Sequence, residues 1–221
     1  MAEMNDSFNE VTAEMLKVIS DYDSVAGFQG AYNIRQDSMC AGRKNSENIT
    51  IESKTDKPGI NIRVKPGTKG ETVYIPACVT HSNVDDLVYN DFFIGEGADV
   101  TIVAGCGVHS DGSETARHNG IHRFFLEKGA KVLYKEKHIG TGKGTGLRRI
   151  DPVTDAYLKE DSYLEMDTVQ LRGVDRTTRS TSAVLDKGAK IVVRERIMTD
   201  GDEDAAVSYT HLRAHETDQY L

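Results

Sequence analysis

The chain has 221 residues, 38% of them hydrophobic and 28% charged, with a formal net charge of −8. That length buries a sizeable core in one domain or a compact pair, and the balance is that of a globular rather than a disordered chain. The acidic excess argues against nucleic acid, which needs clustered Lys and Arg against phosphate. No apolar run approaches the ~20 residues of a membrane span, so no membrane association is expected. Met1 is followed by polar, acidic sequence with neither a basic start nor an apolar stretch, so no secretory signal and a cytoplasmic setting are expected. Cys40, Cys78 and Cys106 are widely spaced and form no CxxC, which excludes a disulfide framework or a zinc knuckle and predicts reduced, mostly buried thiols.

Taken in chain order, residues 7–22 read as an amphipathic helix. Ser7 followed by Glu10 has the capping-box arrangement, and Phe8, Val11, Met15, Ile19 and Tyr22 fall on one stripe. The helix is expected to pack on the main body, with a partner-binding helix as the alternative. After Gly27 the character changes to short alternating runs such as Asn48-Ile-Thr-Ile-Glu, Ile60-Asn-Ile-Arg-Val and Glu71-Thr-Val-Tyr-Ile, punctuated by Lys57-Pro-Gly and Lys65-Pro-Gly.

An internal repeat follows. Phe93-Ile-Gly-Glu-Gly-Ala-Asp-Val100, Phe125-Leu-Glu-Lys-Gly-Ala-Lys-Val132, Tyr157-Leu-Lys-Glu-Asp-Ser-Tyr-Leu164 and Val184-Leu-Asp-Lys-Gly-Ala-Lys-Ile191 share one pattern, with starts 32, 32 and 27 residues apart. Each copy reads as strand, tight turn, strand, because Gly or Asp suits a left-handed turn position and the small residue beside it lets the corner pack closely. Such units cannot bury a face alone, so they stack. The expected fold is all-β: a β-solenoid, preferred over a β-sandwich, with a short N-terminal helix.

Three stretches invite chemistry. His138-Ile-Gly-Thr-Gly-Lys-Gly-Thr-Gly146 fails the phosphate-loop pattern, since Gly144 follows the lysine and no helix follows the loop; it reads as a flexible loop between strands. Glu160, Asp161, Glu165 and Asp167 could suggest a sugar-acting β-helix, but their spacing follows strand alternation and points several of them to solvent. Gly105 to His122 holds Cys106, His109, His118 and His122, residue types suited to zinc, copper or iron. Against a metal site, Gly105 and Gly107 flank the cysteine as small residues do for packing, and His109 to Asn119 has loop composition. A structural cysteine followed by a polar loop is the preferred reading, and no catalytic or metal residue is assigned. Cys106, His118 and His122 are kept as candidates for lining an internal path for sulfur or iron.

From Ala31 onward the chain resembles the SufB/SufD family, subunits of the Suf iron–sulfur cluster assembly machinery. The likeness is carried by Gly30-Ala-Tyr-Asn-Ile-Arg, Asp56-Lys-Pro-Gly-Ile, Lys65-Pro-Gly-Thr-Lys-Gly-Glu, Leu87-Val-Tyr-Asn-Asp-Phe, Val103-Ala-Gly-Cys-Gly, Arg117-His-Asn-Gly-Ile-His, Glu165-Met-Asp-Thr-Val-Gln and Arg172-Gly-Val-Asp. The resemblance, closest to short SufB-like forms, implies a right-handed parallel β-helix that acts as a scaffold rather than an enzyme. It implies association with a second SufB/SufD-type subunit and a SufC-like ABC ATPase, and an iron–sulfur cluster built on the complete complex and passed to apo-proteins. The cluster-handling and ATPase-docking parts of the family lie toward the C-terminus and have no counterpart here. The sulfur-accepting cysteine of longer relatives would fall near Leu158 to Glu160, where this chain has none.

The final stretch, Val207-Ser-Tyr-Thr-His-Leu-Arg-Ala-His-Glu-Thr217, reads as translated sequencing-adapter DNA. The expected organisation is therefore a helical segment at 1–26, an incomplete β-helix core at 27–206 and a non-native tail at 207–221, with His211 and His215 carrying no weight. An open solenoid end leaves unpaired strand edges, so aggregation is expected. A β-helix carbohydrate-active enzyme and a structural solenoid that binds a protein partner are the alternatives.

Overall fold

A computed structural model of the chain describes residues 7–24 and 26–213. One helix, α1 (Glu10–Ile19), precedes strands β1 (Ala31–Gln36), β2 (Met39–Lys44), β3 (Ile49–Ser53), β4 (Gly59–Val64), β5 (Lys69–Val79), β6 (Asp85–Ile94) and β7 (Asp99–His109). They continue with β8 (Ala116–Leu126), β9 (Lys131–Thr141), β10 (Arg148–Ile150), β11 (Val153–Leu158), β12 (Tyr163–Gln170), β13 (Arg176–Leu185), β14 (Lys190–Ile197) and β15 (Asp204–Arg213). From β4 onward the chain alternates between two sheets through parallel pairings, except that β10 and β11 follow one another in the same sheet. One runs β14-β12-β9-β7-β5-β1-β2 and the other β10-β13-β11-β8-β6-β4-β3, with β15 added on β13. This is the expected all-β solenoid with a short N-terminal helix. The antiparallel hairpins β1–β2 and β3–β4 put β2 and β3 at the starting edges of the two sheets.

The repeat marks the corners. Gly97, Gly129, Asp161 and Gly188 all have left-handed φ, at 65°, 65°, 56° and 69°. An added Cβ at Gly97 or Gly129 would meet nothing within 4 Å, so glycine is needed there for its φ alone. Each turn donates to the next: Gly97 N to Lys128 O at 3.0 Å, Gly129 N to Glu160 O at 3.0 Å, Asp161 N to Lys187 O at 3.0 Å. Beside them Ala98, Ala130 and Ser162 are buried, as the pattern required. Gly67, with φ 73°, is a further copy that the sequence pattern missed. Its strand carries Arg63 where the repeat has an aromatic or Val, and the register slips by one residue between Lys69 and Glu71.

Constant register stacks like positions into columns across the coils. Val100, Val132, Leu164 and Ile191 form one, and Ile94, Leu126, Leu158 and Leu185 another, within a single core cluster. A second, smaller apolar cluster around Val79, Val108, Ile150 and Val174 fills the far end of each coil. On the outside, Phe93, Phe125 and Tyr157 stack ring on ring with centroids 5.1 and 5.2 Å apart.

α1 lies across the outer face of β5, β7 and β9, its Met15, Leu16 and Ile19 buried with Phe28, Ile34 and Cys78. The cap differs from the expectation: Asn9, not Ser7, accepts from Thr12 N at 2.9 Å, while Ser7 N donates to Ala41 O at 2.8 Å. Hydrogen-bonding Ser7 to β2 pulls it out of helical reach, so α1 starts later than residue 7. Tyr22 lies past the helix end but still joins the stripe, packing edge-on against Phe8 and Phe28.

The glycine-rich stretch divides. Residues 138–141 belong to β9, and the connecting glycines stack on the preceding coil, with Gly144 N to Ser110 O and Gly146 N to Gly112 O both at 2.9 Å. A Cβ at Gly146 would lie 1.9 Å from Glu114 O, so close backbone stacking demands the glycine. β15 carries the parallel pairing through Arg213, into the segment expected to be non-native; His215 lies outside the described residues. Among the described residues, no helix is long and apolar enough to cross a membrane.

Candidate functional site in the solenoid lumen

Between the two apolar clusters the lumen is polar. Alternation along β9 turns Val132, Tyr134, Glu136 and His138 inward, and the last three are almost wholly buried. Register places His138 beside Cys106 of β7 on one side and Gln170 of β12 on the other. The facing sheet supplies His118 and His122 from β8, beside Asp86 and Asn90 of β6. Arg179 enters from β13, 4% exposed.

These groups form two connected sets. In the first, Asp86 accepts from Arg35 at 2.7 Å and from His118 Nδ1 at 3.0 Å. Burial works against the Asp86 charge, but His118 and Arg35 outweigh it and hold the carboxyl well below the usual carboxylate range. In the second, Arg179 donates to Glu136 Oε2 at 3.0 Å and to His138 Nδ1 at 3.2 Å, and also pairs with Glu195. Burial opposes ionisation of Glu136 too, yet His138 and Arg179 keep its carboxyl far below its ordinary value.

The histidine tautomers follow from their partners. Tyr134 donates to Glu136 Oε1 at 2.8 Å, so its oxygen accepts from His122 Nδ1 at 2.7 Å. His122 Nε2 then accepts from Asn90 at 3.4 Å. Burial pushes His122 down to about 4, which keeps this ring neutral. His138 accepts from Arg179 at Nδ1, which leaves the hydrogen on Nε2; burial holds its pKa down as well. Burial pushes the Cys106 thiol well up, with Glu136 adding to the shift.

The three sequence candidates meet. Cys106, His118 and His122 line one cavity together with Arg35, Asn90 and Ala104. His118 and His122 flank Gly120, where an added Cβ would lie 3.3 and 2.8 Å from their Nε2 atoms. His109 falls on the opposite face of β7 from Cys106, with Nδ1 2.9 Å from Thr141 Oγ1. The packing role read for Gly105 and Gly107 also holds: a Cβ at Gly105 would sit 2.6 Å from Ile19 O, and one at Gly107 2.1 Å from Met15 Sδ. These glycines let α1 lie directly on the strand that carries Cys106. The acidic stretch turns outward as alternation predicted, with Glu165 paired to Arg194, Asp167 to Arg196 and Glu160 to Lys128.

Sequence reading missed Glu136, His138 as a lumen residue, and Arg179. For Glu136 and His138 the signal was present: the 32-residue repeat aligns Cys106 with His138, and Glu136 shares the inward phase of Val132 and Tyr134.

Fold and lumen together define a parallel β-solenoid with a buried, titratable interior. No family model matches the chain. The chain is similar to two iron–sulfur cluster assembly SufBD family proteins of Methanothermobacter thermautotrophicus. One, from strain Winter, is 32% identical over 89 residues, and the other, from strain Delta H, is 30% identical over the same length. Each match covers 39% of this chain and 21% of the relative, so the likeness spans about a fifth of the relatives' length.

Proposed function

We propose that the chain is a scaffold subunit in iron–sulfur cluster assembly, working in the cytoplasm with a SufC-like ABC ATPase and a second subunit of its own type. The observation that carries this is the similarity to SufBD family proteins, found on a chain whose stacked coils are those of a β-solenoid. The lumen supports it: a cavity lined by Cys106, His118 and His122 offers sulfur and nitrogen donors to iron as cargo. The chain itself performs no turnover in this reading, and ATP hydrolysis belongs to the partner. The cluster is cargo of the assembled complex and passes to apo-proteins.

Co-expression of the solenoid, as its source gene encodes it, with a SufC-like ATPase, followed by affinity purification on a tag on the solenoid, tests the reading. A stable complex with the ATPase is expected. Recovery of the solenoid alone, under conditions where the ATPase is soluble and folded, would overturn it.

A further inference from the structure

The second polar set holds three side chains of different donor chemistry in one place. A ligand atom each from Cys106, Glu136 and His138 lies within 4.8 Å of the others, and the three residues are 5%, 2% and 0% exposed. The fold enforces this closeness. Cys106 and His138 are register partners on adjacent parallel strands, and Glu136 precedes His138 by two residues on the same face. His138 Nε2, which carries the ring hydrogen, faces Glu136 Oε1 at 3.3 Å, so two of the three donor side chains already meet inside the lumen.

From this geometry we propose that Cys106, Glu136 and His138 bind a single divalent first-row transition-metal ion, zinc or ferrous iron. A thiolate, an imidazole and a carboxylate form a mixed set suited to that class and too soft for magnesium or calcium. Bonds of about 2.3 Å to sulfur and about 2.0 Å to nitrogen put tetrahedral ligand atoms roughly 3.5 Å apart, so the side chains close by about 1 Å around the ion.

Charge favours occupancy. Glu136, Glu195 and Arg179 together carry one net negative charge in the lumen. A divalent ion that displaces the Cys106 thiol proton to solvent brings that sum to zero. Coordination at His138 Nε2 moves the ring hydrogen to Nδ1, so Arg179 gives up its contact there and keeps its pairs with Glu136 Oε2 and Glu195. Cys106 also lines the cavity with His118 and His122, which gives the ion a polar approach. The site does not depend on the assembly reading.

Anaerobic titration of the chelator-treated 221-residue chain with Co(II) tests the site. One equivalent is expected to bind, with a thiolate-to-cobalt charge-transfer band and the intense visible bands of a tetrahedral centre, all removed by added Zn(II). C106S is expected to lose the charge-transfer band while C40S and C78S keep it. H138Q, which leaves the sulfur in place, is expected to weaken binding at least about tenfold. Absence of stoichiometric Co(II) binding by the wild-type chain would overturn the site, whatever the variants do. So would a thiolate band that survives C106S, or an affinity indifferent to H138Q. Neither result bears on ATPase association, so this site and the scaffold reading fail separately.

Discussion

Arg179 on β13 reaches across the lumen to Glu136 on β9, its NH1 3.0 Å from Oε2, and both side chains are at least 95% buried. The two residues are 43 apart in sequence and are joined by no direct strand pairing. Breaking such a pair leaves a buried charge uncompensated. Arg179→Met is therefore expected to cost about 3–5 kcal/mol, read as a fall in the urea midpoint. The double substitution with Glu136→Gln is expected to recover part of that loss. A single variant as stable as the parent would show that the pair is not closed in solution.

Neutral His122 links the lumen to pH. Its folded pKa of about 4 lies below the ordinary 6.5. Between those values the unfolded chain binds a proton that the native chain does not, so stability falls as pH drops through this window and is regained as pH rises. The full effect is about 3 kcal/mol at the acid end of the window. Urea unfolding at pH 7.5 and pH 4.5 should show the drop, and His122→Asn should shrink it. An unchanged drop in that variant would move the effect elsewhere, with His138 the next group to test.

The docking of α1 rests on missing side chains. Gly107→Val would place a branched side chain where Met15 Sδ now sits. Overpacking of this kind costs about 1–3 kcal/mol, and here it is expected to lift the helix while the coils stay formed. Hydrogen exchange over residues 10–19 should speed up in the variant, with the amides of β9 and β12 still protected. Equal exchange at α1 in both proteins would contradict the packing account.

The corner glycines isolate a backbone effect. Gly129→Ala meets no neighbour, so its cost is that of a left-handed φ in an alanine, about 1–2 kcal/mol. Asp161→Gly at the equivalent corner removes a residue already tolerant of that conformation and is expected to change stability by less. Thermal unfolding of the two variants side by side gives the ordering, and a Gly129→Ala chain at least as stable as Asp161→Gly would refute it.

Much of the architecture was legible in the sequence, because the corner chemistry is local. A Gly or Asp with a small residue after it, between alternating runs, specifies strand, turn and strand without knowledge of neighbours. The helix stripe was equally local, though its cap shifted to Asn9 once Ser7 was tied to Ala41 of β2. The lumen was half legible. Cys106, His118 and His122 stood out by type, and the cavity gathers them. Glu136 and His138 were hidden because one sat in an ordinary-looking charged strand and the other headed a glycine run. Their inward phase becomes visible when the repeat offset is carried past the corner. Arg179 had no such signal, since its partner lies on the other sheet and is reached through side-chain length rather than register.

The most direct test of the scaffold account is the iron and acid-labile sulfide content of the complex between the gene product, as its source gene encodes it, and the ATPase, purified anaerobically from cells and repeated after reconstitution with iron and sulfide. The account predicts iron and sulfide in near-equal amounts, an iron–sulfur absorption spectrum, and transfer of the cluster to an apo-ferredoxin. A complex that forms but holds neither element before or after reconstitution would contradict it, and would leave the solenoid as a structural partner of the ATPase.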